Sequence, residues 1–483
     1  MSSKTGERLR RLGALASLCF LCVAPLSCNT DDLLDVTDPD IIDPANVNSA
    51  AAAEGLRSGA LLRLSGMTSG GEGVFHYPGL LADEWRSGDT FAQRDETDKR
   101  SIQASNANLN GMWFGIHRTR AAADQAIAAL QQFAPTQGSD IGQMFWVRGY
   151  AETALAENYC NATPISKFNT NDLVLEFGEP ETNAQVYTRA KGSFDAATAA
   201  VVTNARGDSV RILARIGRAR VAANLGQWST VLSEITAAPA ISDAFRYNIF
   251  HQEGVNATNQ IWALNNSGRR YVIGERDGGV GINFATANDP RLPWCRGADA
   301  VCRSVGVANS ISFDNNFGAS PRIGGLFYVQ LIWPSRNDEV AIVSGVEARL
   351  LEAEARLNTG DSPGWLLILN SLRTNFQALK DPSNVSTGTL GLLVDPVTPA
   401  ARVDLMMRER AFWLYARGHR LADMRRLTRP TSAGGYGRAI NTVYPNGTFF
   451  KGGTYGTDVN IVVPQSEENN PKYSAAACVT TVP

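Results

Sequence analysis

The stretch Met407–Leu427, MRERAFWLYARGHRLADMRRL, decides the fold. It holds an apolar and aromatic run, a glycine at Gly418, and a second short run studded with arginine. Ala411, Leu414 and Tyr415 fall on one helical face of the first run, and Leu421, Met424 and Leu427 on one face of the second. Two helices are therefore expected to meet at Gly418, which can take the left-handed backbone that ends a helix. His419 and Arg420 would then lie beside free helix carbonyls, where positive charge is favoured. Arginines at this spacing are read as hydrogen-bonding carbonyls and pairing with carboxylates such as Glu409 and Asp423, rather than as a catalytic or phosphate-binding cluster.

The same helical style recurs outward from this junction. Ala50–Leu64, Leu109–Leu130, Ile141–Tyr159, Asn183–Val202 and Ser209–Leu225 read as helices, the last followed by a glycine turn and another helix to about Ala237. Val340–Leu357 and Trp365–Leu379 form a further pair around a turn containing Gly360 and Pro363, the expected stop and start signals. These pairs predict a mainly α fold: degenerate tetratricopeptide-like helical hairpins that form a scaffold without a regular repeat array. Ser65–Gly73 reads as a glycine-rich connection, and His76–Arg86 as a partly exposed segment. From about 247 to 335, glycine, asparagine, proline and aromatics rise and strand-like pieces such as Gln260–Leu264 appear. An irregular, loop-rich subdomain packed on the scaffold is expected there, and loops on a rigid scaffold are where binding residues tend to sit.

Among 483 residues, 44% are hydrophobic and 19% charged, enough to bury a large core. The 45 basic against 47 acidic residues leave a formal charge of −2, which offers no field to hold nucleic acid. Lys4, Arg8, Arg10 and Arg11 precede an apolar run from Leu12 to about Val23, the layout of a secretory signal peptide. The run ends at Pro25-Leu26-Ser27-Cys28, the arrangement of a bacterial lipoprotein cleavage site. Residues 1–27 are thus read as the signal, Cys28 as the lipid attachment point, 28–48 as an acidic, proline-rich tether, and 49–483 as the folded domain.

Four cysteines follow the signal: Cys160, Cys295, Cys302 and Cys478. Cys295 and Cys302 close a short loop and are the candidate disulfide, worth roughly 2–3 kcal/mol. Whether Cys160 pairs with Cys478 is left open. No second close cysteine pair or histidine cluster accompanies them, so no metal site is assigned. Nor is there a zinc-helix motif, a nucleophile elbow or a phosphate loop, and no cofactor or catalytic residue is assigned. A glycosidase carboxylate pair is defined by distance in space, so an exported glycoside hydrolase stays as an alternative, although Asp83 and Glu84 read equally as solvated surface. A helical-repeat scaffold that binds only protein is a second alternative.

Sugar binding uses exposed aromatic faces beside polar groups, because the apolar face of a pyranose stacks on a ring while its hydroxyls seek donors and acceptors. Trp85, Arg86, Asp89 and Phe91 form one such mixture, and Trp294, Phe313, Tyr328 and Trp333 are candidates in the irregular region. Each ring competes with a role in the core.

Several stretches, in order, resemble the SusD/RagB nutrient-binding lipoproteins of bacterial outer membranes. They are Leu33-Leu34-Asp35-Val36, the helix around Trp113, Val147–Tyr150 leading to Asn161–Pro164, and Leu213–Trp228. Asp289-Pro290-Arg291, Val346–Ala355 with Leu369–Arg373, Glu409–Gly418 with Arg420, Asp423 and Arg426, and Pro464–Glu467 with Asn470-Pro471 complete the set. Trp413 and Arg417 stand where the family often has glutamates, and Gly149 where alanine is usual. The resemblance implies a non-enzymatic, lipid-anchored receptor facing the cell surface, which binds an oligosaccharide or peptide and delivers it to a SusC-like TonB-dependent transporter. It also implies that the helical repeats face the transporter and that the irregular subdomain helps form the ligand surface.

Overall fold

The computed structural model describes residues 47–169, 174–252, 258–296 and 328–483. The signal segment, Cys28, most of the tether, Cys302 and Phe313 lie outside the described residues. Val47–Pro483 forms one unit. None of the described helices is long and apolar enough to cross a membrane.

Local chemistry sets the helix starts. The Ser49 side chain accepts the Ala52 amide to open α1 (Ala50–Thr68), which runs on through the first part of the expected glycine connection. Next come α2 (Tyr77–Leu81), β1 (Trp85–Ser87) and α3 (Ala92–Asp98). Asn106 caps α4 (Ala107–Phe133) by accepting the Asn108 and Leu109 amides, and α5 (Gly138–Asn158) follows. The short strands β2 (Thr163–Pro164), β3 (Lys167–Asn169), β4 (Val174–Glu176) and β5 (Pro180–Glu181) pair antiparallel, β2 with β5 and β3 with β4. A capping box between Thr182 and Gln185 starts α6 (Asn183–Ala200), which leads to α7 (Ala205–Asn224). Gly226, at φ +70°, turns the chain into α8 (Trp228–Thr236).

The irregular region contributes β6 (Arg246–Ile249), β7 (Tyr271–Ile273), β8 (Trp294–Arg296) and β9 (Tyr328–Gln330), followed by β10 (Val340–Ser344). These form two-stranded antiparallel pairs, β1 with β7, β6 with β10, and β8 with β9. The chain ends in α9 (Gly345–Asn358), α10 (Ser362–Thr374), α11 (Phe376–Leu379), α12 (Pro399–Trp413) and α13 (Arg420–Thr428). Helices pack on their successors, α4 on α5, α5 on α6, α6 on α7 and α7 on α8, while α8 meets α9 across the irregular insertion and α9 meets α10. The fold is mainly α, with tetratricopeptide-like hairpins as scaffold and the loop-rich part packed on it.

Four local expectations need correction. Val340–Ser344 is a strand, because an unbroken apolar run buried on both faces carries no periodicity to separate strand from helix. Gln260–Leu264 is not a strand but enters the π-helix Trp262–Ser267, and Trp365–Leu379 breaks at Asn375 into α10 and α11. His76–Arg86 is buried throughout rather than partly exposed, because its charges find partners inside the protein.

Gly149 has a packing reason. A Cβ there would stand 2.7 Å from the Phe194 ring, and one at Gly217 would stand 2.6 Å from the same ring. Phe194 is thus clamped between α5 and α7, and the two glycines make the slot.

The junction after α12 is a clasp. Ala416 and Gly418 both have positive φ, +54° and +72°, so the chain reverses within a few residues. A Cβ on Gly418 would meet the Val74 carbonyl at 2.9 Å. Asp423 accepts Arg410 Nε at 2.9 Å and Arg426 Nη2 at 2.7 Å. Arg426 also donates to Glu354 at 3.0 Å and to Asn224 Oδ1 at 3.1 Å, and Asn224 in turn donates to Glu157, which Arg220 grips at 2.7 and 2.5 Å. Glu409 accepts Arg291 at 2.6 Å and Arg373 at 2.7 Å. One buried chain of charge therefore ties α5, α7, α9, α12 and α13 together. Burial alone would raise the Asp423 carboxyl, but Arg410 and Arg426 overcome it and hold it below the usual range.

The pairing expected for Glu409 and Asp423 is present, but His419 and Arg420 do not serve helix carbonyls as positive charges. Arg420 opens α13 and forks onto Asp83 at 2.5 and 2.7 Å. His419 is held neutral, well below its ordinary pKa, by burial and the surrounding arginines. Arg425 serves the end of a different helix, α5, donating to the Ala156 and Glu157 carbonyls at 2.9 and 2.7 Å. Arg417, in place of a glutamate, donates to Asp381 and to the Trp413 carbonyl, and Trp413 packs on Phe376 and beneath Arg291. Cys160, at the end of α5, is bonded to Cys478, so the pairing left open by sequence is made. Cys295 is also disulfide-bonded, with its partner outside the described residues.

A candidate ligand-binding face

Strand β1 pairs with β7 so that Trp85 lies opposite Ile273 and Ser87 opposite Tyr271. All three residues of this short strand are buried, Trp85 among them. Its ring packs against Tyr415 at 5.1 Å and Tyr271 at 6.0 Å, and its indole N–H donates to the Phe75 carbonyl at 3.3 Å. Trp85 is therefore core and offers no face to a ligand.

Arg86 and Asp89 are supports. Arg86 donates to Asp277 at 2.5 Å and to the Glu275 carbonyl at 2.7 Å. Asp89 accepts the Phe91 amide at 3.1 Å, an Asx turn, and Arg94 Nη1 at 2.6 Å. Arg94 reaches on to Glu72 at 3.0 Å, and the Tyr271 hydroxyl donates to the same carboxylate. Burial acts against the Arg94 charge, but Glu72, Tyr271 and Asp89 outweigh it and hold the guanidinium protonated. Lys451 closes the far side, donating to Asp89 O at 2.6 Å, Asp95 at 2.5 Å and Ser87 Oγ at 3.0 Å.

On this bed Phe91 is left outside. Phe91 is 52% exposed, with the guanidinium of buried Arg94 5.1 Å from its ring centroid and that of exposed Arg270 at 5.6 Å. Cation–π contact with two arginines holds the ring while leaving surface open. Beyond Lys451, Phe450 is half-buried beside Arg86 and the Lys451 ammonium. An exposed aromatic face with a guanidinium donor at its edge, Arg270, on a fixed base is the arrangement that stacks a pyranose and hydrogen-bonds its hydroxyls.

The second predicted group is mostly interior. Trp294 is half-buried, with its indole N–H on Ala285 O at 2.7 Å and its ring 4.7 Å from that of buried Tyr328. Trp333 is fully buried, with Arg417 5.2 Å above its ring. Buried Asn265 bonds the Tyr271 carbonyl and the Gln330 amide, so β7 and β9 belong to one layer with the Phe91 base. Sequence reading missed two other exposed rings, Phe114 and Phe250. Phe114 could have been found as the outward neighbour of Trp113 on α4. Arg270 carries no local signal, since only the β1–β7 register brings it to Phe91.

The carboxylates weighed for hydrolysis are structural, not solvated surface: Asp83 is gripped by Arg420, and Glu84 accepts the Ala416 amide at 3.1 Å. Among the described residues, no group of three His, Cys, Asp or Glu converges as a metal set. Burial raises the Glu84 carboxyl to about 8 from 4.5, so the folded state keeps a proton that the unfolded chain has released. Stability contributed by Glu84 therefore falls as pH rises from 4.5 towards 8. His76 and His117 act oppositely, since burial lowers both to about 3 from 6.5, and stability is lost as pH falls through that window. Glu84→Gln mimics the protonated acid. It is expected to remove about 2 kcal/mol of the decline between about pH 5 and 6.5, read from paired urea melts of parent and variant. Equal slopes for the two proteins would refute it.

No family model and no curated protein matches the sequence. Solved structures do match. A SusD-like carbohydrate binding protein from Bacteroides fragilis NCTC 9343 superimposes with a TM-score of 0.58 at 13% identity, covering 88% of this chain and 98% of that one. A SusD superfamily protein from Bacteroides vulgatus ATCC 8482 gives 0.57 at 14% identity, covering 88% and 100%. A SusD homolog from Bacteroides thetaiotaomicron VPI-5482 gives 0.57 at 10%, covering 88% and 96%. The distant motifs expected from resemblance also meet in space: Trp113 donates to Glu467 at 2.9 Å and Arg291 to Glu409 at 2.6 Å. The chain has the fold of the SusD superfamily.

Proposed function

We propose that the protein is a non-enzymatic, SusD/RagB-type nutrient-binding lipoprotein of the bacterial outer membrane. It is anchored through Cys28, binds a glycan or peptide, and delivers it to a SusC-like TonB-dependent transporter. The observation that carries the binding reading is Phe91, an exposed ring fixed on a buried ionic base with an exposed guanidinium, Arg270, at its edge. The fold shared with proteins described as carbohydrate- or sugar-binding supports the same reading. The lipid anchor rests on the signal layout that ends at Cys28, and the transporter on the sequence resemblance.

The test is equilibrium titration of the purified chain against a panel of glycans and peptides, with Phe91→Ala in parallel. Loss of one stacking ring is expected to weaken the bound ligand by about 1–2 kcal/mol, roughly 5- to 30-fold, without changing the melting temperature. Co-purification of a large outer-membrane barrel is the expected companion result. Ligand affinity indifferent to Phe91→Ala would remove this face, and the absence of both ligand and barrel would remove the receptor reading.

A further inference from the structure

A separate cleft of about 1130 Å³ opens where α4 and α6 part above α5, roofed by the β2–β5 segment and the Gln465–Asn469 turn. Phe114 presents a partly exposed ring on its rim, with the Arg118 guanidinium 5.5 Å from the centroid. Deeper in, Arg120 is 5% exposed; one of its terminal nitrogens donates to the Ser166 carbonyl, while its buried Nε–H has no hydrogen-bond partner among the described residues. A buried guanidinium donor left unpaired costs free energy until an acceptor arrives.

The charges around it are unbalanced. Asp124 serves two guanidiniums, at 2.9 Å from Arg148 and 3.5 Å from Arg120. Arg118 and Lys167, both exposed on the cleft, have no carboxylate within ion-pair distance among the described residues. Two further carboxyls line the cleft but are otherwise engaged: Glu467 accepts the Trp113 indole N–H, and Glu152 accepts the Ser193 hydroxyl at 2.6 Å. Burial raises both of these carboxyls, which reduces the negative charge they present. Arg189 is already matched by Glu181. The cationic groups on the cleft thus outnumber the carboxylates free to meet them. What the cleft supplies is a ring face together with the amide groups of Gln125 and Asn469.

We infer that this cleft is a second binding site, for an acidic oligosaccharide of the uronic-acid type. Its carboxylates would meet Arg118, Arg120 and Lys167, and its sugar rings and hydroxyls would meet Phe114 and the neutral polar lining. Charge-assisted, two-pronged contact of this kind is what guanidinium offers a carboxylate. The site stands independently of the Phe91 face.

The test is calorimetric titration of the full chain with a short oligogalacturonate, with its neutral methyl ester, and with an oligoglutamate. The acid sugar is expected to bind at least about tenfold more tightly than the ester, and more weakly as salt is raised. The double variant Arg118→Ala/Lys167→Ala, altered only at exposed positions, is expected to lose at least about tenfold in affinity for it. Phe91→Ala is expected to bind it as the parent does, which separates this site from the Phe91 face. Equal binding of ester and acid, parent-like affinity in the double variant, preference for oligoglutamate, or no binding of the acid sugar would each overturn the inference.

Discussion

Asp423→Ala is expected to destabilise the protein by about 3–5 kcal/mol, read as a lowered urea midpoint with little change in the slope. Asp423 is 1% exposed and sits between two arginines that are equally buried. Removing it leaves Arg410 with only a 3.5 Å approach to Glu354 and strips Arg426 of one of its two carboxylates. The large effect comes from guanidinium charge left in a dry interior, which far exceeds the worth of an exposed ion pair. Asp423→Asn keeps the shape and an acceptor but not the charge, and should fall between parent and alanine variant. An alanine variant as stable as the parent would show that the clasp does not depend on this carboxylate.

Replacing both Cys160 and Cys478 by alanine is expected to cost about 2–5 kcal/mol, measured by urea denaturation without reductant so that the Cys295 bond stays intact. The two cysteines are 318 residues apart, so the bond restricts the unfolded chain over most of the domain. In the folded state it also secures the tail. Ile461 receives the Cys160 amide at 3.0 Å, and the segment beyond carries Glu467 onto Trp113. An unchanged midpoint in the double variant would mean that the tail's other contacts suffice.

Sequence periodicity located the scaffold helices to within a few residues, because amphipathic runs of this length have one dominant solution. It also identified the clasp as structural, since arginines alternating with Glu409 and Asp423 have partners close at hand. What it could not supply is the remote half of each pair. Asp83 lies 337 residues from Arg420, and nothing local marks it as an interior carboxylate. That same blindness made Trp85 look like a surface ring: its charged neighbours imply solvent only if they are unpaired, and here they are paired inside. Phe91 was legible as a candidate but not as the exposed one, because exposure depends on Asp89, Arg94 and Lys451 forming its base. The α4–α6 cleft was invisible, being a property of how helices diverge.

The clasp also bears on the order in which the protein can be completed. Arg420 comes from the last part of the chain and Asp83 from the first; both are buried, and Arg420 supplies the counter-charge to Asp83, which also accepts the Ile282 amide at 3.0 Å. A nascent chain that has not yet reached α13 lacks the guanidinium that offsets the burial of the Asp83 carboxylate, so the native packing between α2 and β1 is complete only once the C-terminal helices are made.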